Sequence, residues 1–161
     1  MMTEIQLAYK DDGILELLED YTNMLMRQDE TAAQYLNQQN YDYEKEHLDE
    51  IYGLPLGRFL VVKVDNKIVG CVGLKHMEGG QCELKRLYVK ESHRGKHLSD
   101  RLMEAVLKEA KAIGYETIYL DTLPFLKEAI HLYRKFGFFD CEPYNDSPMD
   151  TSIYMRLDLK E

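Results

Sequence analysis

The stretch from Glu83 to Ile113 constrains this chain more than any other. It reads Glu-Leu-Lys-Arg-Leu-Tyr-Val, then Lys90-Glu91-Ser92-His93 and Arg94-Gly95-Lys96-His97-Leu98-Ser99, then a run that puts Leu98, Leu102, Val106, Ala110 and Ile113 on one stripe. The first segment is a dense β run, and the last has helical spacing, which predicts a helix from about Lys96 to Gly114. Gly114 is a stop signal, and Glu116 to Asp121 follows as a short strand with Ile118 and Leu120 apolar. A strand on each side of one long helix predicts a parallel crossover. The turn ahead of the helix is a natural anion site. The first helical N–H groups have no intrahelical acceptor, and the helix dipole favours negative charge there.

Charge agrees with that reading. Between Lys85 and Arg101 the cationic side chains are Lys85, Arg86, Lys90, Arg94, Lys96 and Arg101, against Glu91 and Asp100, in a chain of net charge −9. A basic island in an acidic chain fits a local anion site better than attraction to polyanions in general. Charge and spacing alone fit a solvated turn and an ordinary helix start equally well.

The remaining elements are predicted as follows. Glu4–Tyr9 reads as a strand with Ile5, Leu7 and Tyr9 on one face. Asp11 or Asp12 caps a helix over 12–28, with Ile14, Leu17, Leu18, Tyr21 and Leu25 as its apolar stripe. Residues 31–51, rich in Gln, Asn, Asp, Glu and Tyr, read as one or two short helices. Arg58–Val64 and Lys67–Lys75 form a hairpin about Asp65-Asn66. Gly70 and Gly73, inside the second strand, mark a bulge or a close backbone approach. Gln81–Val89 is the strand that enters the basic turn. Phe125–Phe136 is a second helix, stopped by Gly137. Phe138–Cys141 is a strand, 143–150 a loop and Thr151–Leu159 a closing strand. This adds up to a mixed sheet with helices on both faces, in one α/β domain over residues 1–161.

Composition narrows the function classes. The chain has 161 residues, 45% hydrophobic and 30% charged, enough for one domain with a real core. It has no run of 18 apolar residues, so no membrane span is predicted. Met1-Met2-Thr3-Glu4 lacks the basic start of a signal peptide. Cys71, Cys82 and Cys141 read as buried free thiols in a reducing compartment, so the expected location is the cytoplasm. The acidic balance argues against nucleic-acid binding and leaves a cationic small molecule or amine as a partner.

Arg94 heads its turn directly after the strand end Leu87-Tyr88-Val89, and this segment resembles motif A of the GNAT superfamily, the Gcn5-related N-acetyltransferases. That pattern is Arg/Gln-x-x-Gly-x-Gly/Ala. His97 stands where Gly is usual, and Ser99 where Gly or Ala is usual. A second run, His131-Leu132-Tyr133-Arg134-Lys135-Phe136-Gly137-Phe138, with Ala129 ahead of it, resembles motif B. The resemblance extends from about Arg58 to the C-terminus. It implies a GNAT-like mixed, mostly antiparallel central sheet, with a splayed parallel strand pair and helices on both faces.

What the resemblance implies about chemistry is specific. Acetyl-CoA is the cosubstrate, without a metal. Its pantetheine arm would pair with Leu87, Tyr88 and Val89, and its pyrophosphate would lie on Arg94, Gly95, Lys96, His97, Leu98 and Ser99. Thr122, at the opposite strand end, would contact the same arm. Tyr133 is the candidate general acid for the leaving thiolate and Glu83 the candidate base for the amine, with Asp121 in reserve. Apart from the resemblance, Tyr133 also fits a core tyrosine, Glu83 a solvated strand charge, and His97 a side chain that simply points to solvent. The implied activity is acetyl transfer from acetyl-CoA to a primary amine of a small molecule or peptide. The alternative is a CoA-binding regulatory module with weak chemistry. Acceptor specificity is assigned to Tyr35–Leu54 and Pro143–Asp150, and a homodimer through the C-terminal strand is the expected assembly if one forms.

Overall fold

The computed structural model of the chain describes residues 2–38, 40–145 and 151–159. Its strands are β1 Thr3–Leu7, β2 Arg58–Val64, β3 Lys67–His76, β4 Gln81–Val89, β5 Thr117–Thr122, β6 Phe139–Asp140 and β7 Ile153–Asp158. Its helices are α1 Asp12–Gln28, α2 Ala32–Gln38, α3 Tyr41–Glu46, α4 Leu48–Ile51, α5 Leu98–Ile113 and α6 Lys127–Lys135, with a 3₁₀ turn at Glu91–His93. The strands form one sheet in the order β1-β2-β3-β4-β5-β7-β6. Every neighbouring pair is antiparallel except β4 and β5, the pair joined by the α5 crossover.

Local chemistry explains most of these elements. The Asp11 carboxylate caps α1 by accepting from the Gly13 amide at 2.8 Å. Asp65 and Asn66 both adopt the left-handed conformation, φ 52° and 70°, that a tight two-residue hairpin requires. Each face of the sheet then buries a separate core. On one face α5 packs Leu102, Met103 and Val106 against Leu60, Val62, Leu84 and Ile118, and α6 adds Leu132 and Tyr133. On the other, α1 packs Ile14, Leu17, Leu18 and Leu25 with Tyr35, Tyr41 and Tyr52 over Phe59, Val61 and Cys71.

Several boundaries differ from the sequence reading. β1 ends at Leu7, which is exposed, and Tyr9 lies beyond it with its phenol donating to the Tyr52 carbonyl at 2.9 Å. The 31–51 segment forms three short helices rather than one or two. α5 begins at Leu98, because the left-handed His97 cannot continue a helix. α6 is shorter than predicted, β6 spans two residues, and Cys141 is half-buried rather than buried. Of the 143–150 loop, residues 146–150 lie outside the described residues. Among the described residues no helix is long and apolar enough to cross a membrane.

Candidate active site

β4 and β5 pair only over Gln81–Thr117, Cys82–Ile118 and Glu83–Tyr119. Past Glu83 the strands part, and from Leu84 to Val89 β4 has no strand partner on its β5 side among the described residues. The β3–β4 register shifts beside this opening: Cys71 pairs with Tyr88, but Gly73 pairs with Lys85. β4 therefore carries one extra residue, and Arg86 sits there at φ 63°. The bulge flips the alternation. Leu84 and Val89 reach the same core despite their odd spacing, and Arg86 turns to the α1–α4 face.

A cavity of about 360 Å³ occupies the splay. Along β4 its lining runs from Lys85 and Arg86, beside the last β4–β5 pair, to Val89 and on to Arg94 at the turn. Tyr21, Tyr35, Asp121, Thr122, Ala129 and Tyr133 also line the cavity. Leu87 and Tyr88 line it as well, so the whole predicted strand end faces the opening. Thr122 does too, from the end of β5.

The turn after β4 presents a row of unengaged backbone amides among the described residues. Gly95 and His97 both have positive φ, 81° and 60°. Histidine enters this region more readily than most side chains, so the turn closes without the usual glycine. The amides of Gly95, Lys96, His97, Leu98, Ser99 and Asp100 donate to no acceptor among the described residues. The His97 ring is exposed, with Nδ1 3.5 Å from the Asp100 carboxylate. Leu98 is buried in the core, so it offers the turn only its backbone. Arg94 lies across the Tyr88 ring at 5.7 Å and donates from Nε to the Val89 carbonyl at 3.2 Å. Lys85 and Arg86 do not belong to this turn. The basic island of the sequence divides in two, because the bulge buries those two cations in the far end of the cleft.

That far end is a polar network. Arg86 donates from Nε and Nη2 to the Glu44 carboxylate, at 2.6 and 3.0 Å, and Tyr52 donates to the same carboxylate at 2.8 Å. The Tyr52 ring lies directly on Gly73, where a Cβ would come within 2.7 Å of it. Glu83 is buried, accepts from the Tyr144 phenol at 2.6 Å and has the Lys85 ammonium at 3.9 Å. Asp121 accepts from Tyr35 at 2.6 Å and from the Asn145 amide at 2.7 Å. Burial, reinforced by the Glu83 and Asp121 charges, pushes the Tyr144 phenol far above its ordinary pKa. Burial likewise pushes up Tyr133, whose ring packs on Phe138. Among the described residues nothing accepts the Tyr133 proton, so its hydroxyl is available to the cavity.

The structure thus brings Leu87, Tyr88, Val89, Arg94, Thr122, Tyr133 and Asp121 to one cavity, with Glu83 where the splay begins. Sequence reasoning missed Glu44 and Tyr144. Tyr144 lay within the loop assigned to specificity but carried no signal of its own, and Glu44 meets Arg86 only through tertiary structure.

Known proteins share this family and fold. The acetyltransferase (GNAT) family matches residues 17–138. An uncharacterized N-acetyltransferase of Schizosaccharomyces pombe is 34% identical over 146 residues, covering 89% of this chain and 90% of its own. An IAA acetyltransferase of Azospirillum brasilense is 36% identical over 123 residues, covering 74% and 80%. An acetyltransferase of Streptococcus agalactiae has the same fold, with a TM-score of 0.80 at 20% identity over 98% of both chains. The PaiA N-acetyltransferase of Thermoplasma acidophilum, solved in complex with coenzyme A, superposes with a TM-score of 0.76 at 21% identity, covering 98% of this chain and 99% of that one.

Proposed function

This chain belongs to the GNAT family of acetyltransferases, and on that premise we propose that it moves an acetyl group from acetyl-CoA to the primary amine of a small molecule or peptide by direct attack in a ternary complex. The observation that carries the proposal is the cavity itself. It is lined together by Arg94 at the head of the amide turn, Tyr133, Asp121, Tyr35 and Arg86. The free amides of Gly95 to Asp100 and the side chain of Arg94 would hold the pyrophosphate, and the open edge of β4 at Leu87–Val89 would hold the pantetheine arm. Acetyl-CoA supplies an activated thioester.

The chain's own residues then divide the work. Asp121 holds the incoming ammonium. The amine loses a proton to the Tyr144 oxygen as the Tyr144 proton passes to Glu83, which leaves a neutral nucleophile and a protonated carboxyl. After the amine attacks the acetyl carbon, the C–S bond breaks as Tyr133 donates its phenolic proton to the departing thiolate. The Tyr133 oxygen then takes the second proton of the attacking nitrogen, which leaves the neutral amide, and Glu83 returns its proton to solvent. The raised pKa of Tyr133 keeps its proton in place at neutral pH until the transfer.

The test is calorimetric titration of acetyl-CoA into the wild-type protein and Arg94→Ala, followed by thiol release with a panel of primary amines. We expect one-site binding, weaker in the variant by about 1–3 kcal/mol for a lost charge-assisted contact, and amine-dependent release of CoA. Binding without turnover of any amine would favour a regulatory module.

A further inference from the structure

We propose, on the acetyl-transfer reading above, that the acceptor is a cationic amine with no carboxylate beside its amino group. Among the described residues the Asp121 carboxylate, on the cavity wall, has no ion-pair partner, while the neighbouring cations Lys85 and Arg86 are paired with Glu83 and Glu44. Arg86 is buried, spends Nε and Nη2 on Glu44, and lies over the Tyr41 ring at 4.7 Å. Lys85 is also buried and partnered, with Glu83 at 3.9 Å. Asp121 is held differently. Its partners, the Tyr35 phenol and the Asn145 amide, are neutral, and among the described residues no cation forms an ion pair with it. Neutral donors position a carboxylate without cancelling its charge.

The walls fit the same ligand. Tyr21 and Tyr35 line the same cavity, and aromatic faces attract an ammonium group. Of the other cations on the cavity wall, Arg94 stands at the turn assigned to acetyl-CoA and Lys127 opens α6. A carboxylate on the carbon next to the amine would be carried towards Asp121 and Glu83, where the neighbouring cations Lys85 and Arg86 are already paired. Like charges set side by side make a strong rejection device.

The test compares matched pairs that differ in that carboxylate and carry a single amine: phenethylamine with phenylalanine, tyramine with tyrosine, and tryptamine with tryptophan. Thiol release gives kcat/KM for each in the presence of acetyl-CoA. We expect each amine to exceed its amino acid by about tenfold or more, the size of a like-charge penalty, and Asp121→Asn to narrow the gap. Since Asp121→Asn can lower turnover as well, the Kd values of tyramine and tyrosine are also measured on CoA-saturated wild-type and variant protein. Amino acids used as well as amines would overturn the proposal, as would an Asp121→Asn variant with an unchanged Kd ratio. Acetyl-CoA binding with none of the six compounds acetylated would overturn the acetyl-transfer reading itself, and this inference with it.

Discussion

Arg86 and Glu44 stand 42 residues apart and meet in a buried, two-point ion pair, Nε to Oε2 at 2.6 Å and Nη2 to Oε1 at 3.0 Å. The pair pins α3 onto the bulge of β4, at the edge of the cavity. Removing one partner strands a buried charge, so Glu44→Gln should cost about 3–5 kcal/mol in urea unfolding. Replacing both, as Glu44→Leu with Arg86→Met, should cost less than either change alone, and a double-mutant cycle measures the coupling. Burial pushes the Glu44 carboxyl up, but the Arg86 charge and its hydrogen bonds outweigh this, and the pKa ends below the ordinary 4.5. The pair's contribution is therefore complete above pH 4.5 and declines as pH falls below it, a slope that the double variant should lack.

His97 occupies a conformation that suits glycine, φ 60°, at the mouth of the amide turn. His97→Gly should leave acetyl-CoA affinity and stability within about 1 kcal/mol of wild type, since relief of the left-handed conformation and added unfolded-state freedom offset each other. A β-branched residue tolerates this region poorly. His97→Val should cost about 1–3 kcal/mol of stability and weaken acetyl-CoA by calorimetry.

Tyr133 supplies one proton to the cavity, and Tyr133→Phe removes it without changing the ring that packs on Phe138. We expect kcat to fall by about 10²–10⁴, the range for loss of a general acid, while the acetyl-CoA Kd and Tm stay near wild type. Because burial raises this phenol above the ordinary tyrosine value of 10.0, the wild-type profile of kcat should show no alkaline fall attributable to Tyr133 below pH 10. A variant with wild-type kcat would exclude the assigned role.

Alkaline pH should loosen the fold in a defined window. Burial pushes the Cys71 and Cys82 thiols up from 9.0 to about 12. It pushes the Tyr115 phenol up from 10.0 to about 12. The folded chain holds these protons more tightly than the unfolded chain. Their contribution is whole below pH 9 and is lost as pH climbs towards 12, which chemical denaturation at stepped pH would show. In the native protein, half-buried Cys141 should react with a thiol reagent well before Cys71 and Cys82, and Cys141→Ser should abolish the fast phase.

What the sequence determined by itself was a set of local features. Apolar spacing set α1 at 12–28 and the α5 stripe. Asp65-Asn66 set the hairpin, and a strand on each side of a long helix set the parallel crossover. The turn at Arg94–Ser99 and its helix-start amides were legible too, because a helix start after a strand is a property of contiguous residues. Tertiary structure decided what depends on a change of face or on distance along the chain. A single bulge turned Arg86 away from the basic turn and into a buried bond with Glu44. The same folding laid Tyr35 and Asn145 on Asp121 and Tyr144 on Glu83, separations of 86, 24 and 61 residues. A carboxylate's partners decide whether its charge is cancelled or left for a substrate, and those partners come from elements that meet only when the two cores close on the sheet.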